Sequence, residues 1–93
     1  MKVLEEFKEL IKKEKYYQAH EILEQEWQKI RKSDNPYKNV YRGFINAAVS
    51  LELKKRNKNF KKVWMTYEKY KDLYFEKKEF IDVMEFLDKL KPF

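Results

Sequence analysis

Apolar residues recur along this chain with a helical period. Leu4, Phe7 and Ile11, with Leu10 beside them, form one stripe at i, i+3 and i+7. That spacing keeps side chains on one face of a helix of 3.6 residues per turn. The polar run "KKEK" at 12–15 interrupts it. Tyr16, His20, Leu23, Trp27 and Ile30 form a second stripe, widened by Ala19 and Ile22. "KSDNP" at 32–36 then breaks the chain, with Asp34 or Asn35 suited to cap the next helix and Pro36 to enter its first turn.

The third helix, expected over 36–56, is apolar on more than one side through "VYRGFINAAVSLEL". A helix of that kind is surrounded by neighbours. Gly43 lies inside it, where glycine costs about 1 kcal/mol relative to alanine. Its expected use is to let another helix backbone approach, that of the His20 helix. Asn57 and Asn59 mark the following turn. A fourth helix carries Phe60, Val63, Trp64, Tyr67, Tyr70 and Tyr74. A fifth, over 79–90, carries Phe80, Val83, Met84, Leu87 and Leu90, and Pro92 ends it. Short connections make sequential helices antiparallel. The expected fold is all-α: one compact domain over residues 1–93, a bundle of four to five antiparallel helices.

Composition narrows the function. At 93 residues the chain can build one core. It has no cysteine, which excludes disulfides and thiolate metal sites, and a single glycine, which argues against a hairpin-rich β fold. No apolar run approaches the about 18 residues of a membrane helix, and the amphipathic, acidic start "MKVLEEFKEL" is unlike a signal peptide. A cytoplasmic protein with no membrane partner is expected. The net charge of +6 is uneven. Residues 36–78 carry twelve basic and four acidic side chains, most densely in "KKRNKNFKK" at 54–62, which has six cations and no anion. Lys54, Lys55, Arg56, Lys58, Lys61 and Lys62 are therefore candidates for contact with the phosphates of a nucleic acid or another polyanion. At a helix C-terminus, Lys54, Lys55 and Arg56 also have a structural reason, the helix dipole.

The only histidine stands in "YYQAHEILEQEW", residues 16–27. His20 and Glu24 lie four apart and share a helix face, while Glu21 projects about 100° away. Asn46 and Arg42 of the apolar third helix are candidates to complete the cluster, with Trp27 one turn beyond as its shield. An imidazole, a carboxylate and an amide oxygen suit a divalent ion such as Mn, Fe or Zn, with His20 and Glu24 as the metal-ligand candidates. The alternative is a buried hydrogen-bond network that joins helices. Nothing matches a nucleotide loop, a Ser-His-Asp set or the H-E-x-x-H zinc motif. Sixteen aromatic residues exceed what a small bundle can bury, so an exposed remainder is a candidate homodimer surface.

These residues also resemble a known family. An aromatic-x-x-Ala-His-Glu-x-x-Glu-x-x-Trp helix, followed by a helix with a Gly, an amide three residues on and small apolar residues, is similar to the domain of unknown function 309 family. Tyr16, Ala19, His20, Glu21, Glu24 and Trp27 match the first helix, and Gly43, Asn46, Ala47 and Ala48 the second. The resemblance extends over 4–90 and implies an all-helical fold without an established activity. The family usually has Gly-Asn after its second helix and Gly-Ala at the start of the next. This chain has a Lys- and Asn-rich turn and Lys61–Lys62 there. The leading expectation is a non-catalytic binding or scaffold module that needs no cofactor. The alternatives are a metal-dependent, hydrolase-like enzyme centred on His20 and Glu24, and a basic protein that binds nucleic acid weakly.

Overall fold

The structure, a computed structural model, describes residues 2–93. These residues form six helices: α1 (Lys2–Lys12), α2 (Tyr16–Ile30), α3 (Lys38–Lys55), α4 (Lys61–Lys69), α5 (Lys71–Tyr74) and α6 (Lys78–Asp88). There is no strand among the described residues. The radius of gyration, 12.1 Å, equals the about 12 Å of a compact chain of this length.

The expected stripes lie inward. Leu4, Phe7 and Ile11 of α1 are buried, as are Ala19 and Leu23 of α2 and Phe80, Val83, Met84 and Leu87 of α6. The central helix is α3, which buries Val40, Tyr41, Gly43, Phe44, Ala47, Ala48, Ser50 and Leu51 and packs against α2, α4, α5 and α6. Its one buried polar side chain, Ser50, donates to the Asn46 carbonyl one turn earlier at 2.9 Å. Phe44 is the hub of the core, in ring contact with Phe7, Tyr67, Tyr74 and Phe80.

Two helix ends close in the same way. At the end of α1, the Lys15 N–H donates to the Leu10 carbonyl and the Glu14 N–H to that of Ile11. At the end of α3, Lys58 donates to Leu53 and Asn57 to Lys54. This pairing of bonds terminates a helix through one left-handed residue. Glu14 and Asn57 take that role, both with φ of 58°. Lys55 Nζ donates to the Glu14 carbonyl at 3.5 Å, so α1 and α3 finish at the same end of the bundle. Because α2 starts there, it runs antiparallel to both.

Three expectations change. The single helix expected through Tyr70 is two, α4 and α5. In a continuous helix the Tyr67 carbonyl would accept from the N–H of Lys71. Here the Tyr74 hydroxyl donates to it at 2.7 Å and the Tyr70 N–H at 3.3 Å, and the chain turns. Asn35 does not cap α3. Its Oδ1 accepts from the Tyr37 N–H at 2.8 Å, holding the turn before the helix. Gly43 admits a side chain, not the α2 backbone. A Cβ built there would overlap the Tyr74 hydroxyl and stand 2.9 Å from Tyr74 Cζ.

Candidate functional site

The face of α2 that carries the histidine is open. His20 Nε2 stands 2.7 Å from Glu24 Oε2, and the two side chains keep 23% and 42% of their surface in water. Tyr17, one turn earlier, is 58% exposed and meets the His20 ring edge-on at 5.8 Å between centroids. The Glu21 carboxylate hydrogen-bonds the Tyr17 phenol and raises its pKa, and its charge adds to the effect. Tyr17, His20, Glu21, Glu24 and Gln25 border a shallow surface hollow. A narrower apolar slot of about 190 Å³ runs between α2 and α3 beside it, with Tyr16, His20, Val49 and Leu53 among its walls and the Glu52–Arg56 ion pair at its edge.

The other residues expected to join His20 are engaged elsewhere. Asn46 Nδ2 donates to the Arg42 carbonyl on its own helix at 2.8 Å. The Arg42 residue is exposed. Trp27 is half-buried against the core, and the Arg31 guanidinium lies 5.7 Å from its ring centre. Among the described residues, no three His, Cys, Asp or Glu side chains converge on a point that would hold a metal ion. No helix among them is long and apolar enough to cross a membrane.

The basic segment lies at the shared end of α1 and α3, and the fold adds to it. Lys54, Lys55, Arg56, Lys58, Lys61 and Lys62 are all exposed. Lys13 and Lys15 reach this end from the α1–α2 turn. Lys89 and Lys91 reach it after α6, where Leu90 shares a surface hollow with Glu14, Tyr16, Lys54 and Lys55. Carboxylates lie among these cations, and Asp88, next to Lys89, pairs with Lys71 at 2.9 Å. Glu9 pairs with Lys12 at 3.3 Å, Glu52 pairs with Arg56 at 3.0 Å, and Glu14 is exposed. Lys13, Lys15, Lys54, Lys58, Lys62 and Lys89 form no ion pair among the described residues. The sequence showed the run 54–62. The contribution of Lys13, Lys15 and Lys89 depends on helix ends meeting across 41 residues.

A third polar group, running from the core to the surface, carries no expectation from the sequence. The Tyr67 hydroxyl shares its one proton between Asp88 Oδ1 at 2.8 Å and the Met84 carbonyl at 3.1 Å. Lys71 Nζ bonds Asp88 at 2.9 and 3.0 Å and Glu68 at 3.2 Å, and Trp64 Nε1 donates to Glu68 at 3.0 Å. Burial first, then the hydrogen bond and charge of Asp88, push the Tyr67 phenol far above its ordinary range. Burial does the same to Tyr74, with Glu68 adding to it. Burial opposes the charge on Lys71, but its bonds to Asp88 and Glu68 outweigh that and raise its pKa. All members have partners and the group closes α6 onto α4, so its role is architectural.

The model of the family described as Domain of unknown function (DUF309) matches residues 4–66. The chain belongs to this family. The match takes in α1 to α3 and ends within α4, short of the 4–90 that the resemblance suggested. Apart from Trp64, the Tyr67–Asp88 network lies beyond it, as do α5 and α6. Both the α2 face and the basic turn 54–62 fall inside the DUF309 match. No curated protein and no solved structure matches the chain.

Proposed function

We propose that this DUF309 protein is a non-catalytic binding module, and that the basic end of the bundle is its contact surface for polyanions. The observation that carries this is the gathering of six cations without ion pairs among the described residues, Lys13, Lys15, Lys54, Lys58, Lys62 and Lys89, from three separate stretches of chain. A sequence run of lysines on one helix end satisfies the helix dipole and needs no further use. Cations converging from the α1–α2 turn, the α3–α4 turn and the end of α6 exceed that need. They repel one another, a cost that a polyphosphate chain relieves. Releasing the counterions of such a chain supplies the affinity.

Fluorescence anisotropy of a labelled single-stranded oligonucleotide, titrated with protein at rising salt, tests the proposal. Binding should weaken linearly on a log–log plot, with about 0.7 in slope for each phosphate neutralised. Replacing Lys54, Lys55, Lys61 and Lys62 together with Gln should flatten the slope by as much as about 3. Binding unaffected by these changes, or none at about 50 mM salt, contradicts the proposal.

A further inference from the structure

The basic end also carries an aromatic pair. The Phe60 and Phe93 rings lie 5.8 Å apart between centroids with 33° between their planes. Phe93 keeps 53% of its surface in water. The Lys91 and Lys61 ammonium groups stand 5.0 and 5.8 Å from its ring centre. Phe60 packs against this ring, and the exposed Lys91 and Lys61 side chains lie over it, where an incoming base would displace them.

We infer that Phe93, backed by Phe60, is a stacking platform for an unpaired base, and that the polyanion this end takes is single-stranded nucleic acid. The inference rests on the polyanion proposal above and adds to it the ligand class. A strand needs two things from a protein that binds it without reading sequence: cations along its phosphates, and an aromatic face for its exposed bases. Lys61 and Lys91 at the ring, with Lys54 and Lys55 beside Leu90, supply the first, and the ring supplies the second. A duplex or inorganic polyphosphate can use the cations but offers no free base to the ring. An anionic membrane is the weaker fit, because its surface would call for an apolar helix stripe facing the headgroups. The exposed apolar groups at this end, Phe93 and Leu90, are two separate side chains among exposed lysines and form no helix stripe.

The test uses the full chain and four probes at one salt concentration: a thymidine oligonucleotide of about 15 nucleotides, a duplex of equal length, inorganic polyphosphate, and phosphatidylserine vesicles. Phe93→Leu keeps apolar bulk without a π face, and Phe93→Trp enlarges the face. Phe93→Leu should weaken single-strand binding by about 5-fold or more, with its salt slope, the melting temperature and binding to duplex and polyphosphate unchanged. Phe93→Trp should restore or exceed the original affinity. Single-strand affinity that is the same in Phe93→Leu overturns the stacking role while leaving polyanion binding intact. An equal loss on duplex and polyphosphate makes the ring structural and overturns it too. Binding to vesicles but not to the oligonucleotide assigns the face to a membrane and overturns it. No salt-sensitive binding to any probe overturns both this inference and the proposal beneath it.

Discussion

The hydroxyl of Tyr74 occupies the space that a side chain at Gly43 would need. The same hydroxyl donates to the Tyr67 carbonyl at 2.7 Å, at the point where α4 gives way to α5. One small residue in the central helix thus makes room for the hydrogen bond that turns the chain toward α6. Gly43→Ala should destabilise the protein by about 1–3 kcal/mol through overpacking, despite alanine's better helix propensity. Tyr74→Phe removes the overlapping oxygen, so the alanine should cost less in that background, with a coupling of about 0.5–3 kcal/mol. Chemical denaturation of the two single variants and the double variant measures it. Simple additivity would mean that Tyr74 does not set the space above Gly43.

Alkaline pH should unfold this protein through its buried tyrosines. The native fold raises the pKa of Tyr67 and Tyr74, so it keeps protons that the unfolded chain releases above pH 10. Their contribution is complete below pH 10 and is lost as pH rises beyond it. Each tyrosine adds up to about 1.4 kcal/mol of lost stability per pH unit. Tyr67→Phe should cost about 1 kcal/mol at neutral pH by removing the donor to Asp88. It should also make the alkaline slope shallower by one proton. Urea midpoints measured across the alkaline range decide the matter, and an unchanged slope would contradict the burial argument.

Glycine should stabilise the protein at two positions where other residues now adopt a left-handed backbone. Glu14 and Asn57 both have φ of 58°. Non-glycine residues pay about 1–2 kcal/mol there, asparagine less than glutamate. Glu14→Gly should therefore raise stability by about 0.5–1 kcal/mol, and Asn57→Gly by less, after the added flexibility of the unfolded chain is counted. Thermal melts showing a loss at Glu14→Gly would mean that its side chain contributes more than its backbone costs.

His20 should prove inexpensive to remove. A sealed network would lose about 1–3 kcal/mol on losing one partner. The His20–Glu24 pair lies at the surface, and Glu24 can be rehydrated in place, so His20→Ala should cost under about 1 kcal/mol. Two ligands on one helix face bind a divalent ion weakly, so calorimetric titration of metal-stripped protein with Mn, Fe or Zn should give no tight stoichiometric uptake. Tight uptake abolished by both His20→Ala and Glu24→Gln would instead make this face a metal centre.

The residues differ in how plainly they announced their places. Leu4, Phe7, Ile11, Ala19 and Leu23 were legible because a helical period states which face is buried. The stretch 40–53, apolar on more than one side, identified α3 as the central helix for the same reason. Nothing periodic marks the break at Tyr70, since the apolar spacing continues through it. The break comes from a tertiary hydrogen bond to the Tyr67 carbonyl. Asn57 was readable as a turn residue because asparagine tolerates a left-handed backbone. Glu14 was not, because glutamate gives no such signal. His20 fell on the apolar stripe by spacing alone. The stripe centres on Ala19 and Leu23, which leaves His20 at its edge. The basic run 54–62 was visible, but its union with Lys13, Lys15, Lys89 and Phe93 depends on which helix ends meet.

The central claim is that this end of the bundle is the contact surface. Chemical-shift mapping of the isotope-labelled protein, titrated at low salt with a single-stranded thymidine oligonucleotide, tests it most directly. The shifts should concentrate at Lys13–Lys15, Lys54–Lys62 and Lys89–Phe93, and collapse as salt is raised. Shifts confined to the Tyr17–Glu24 face of α2, or none at low salt, would contradict it.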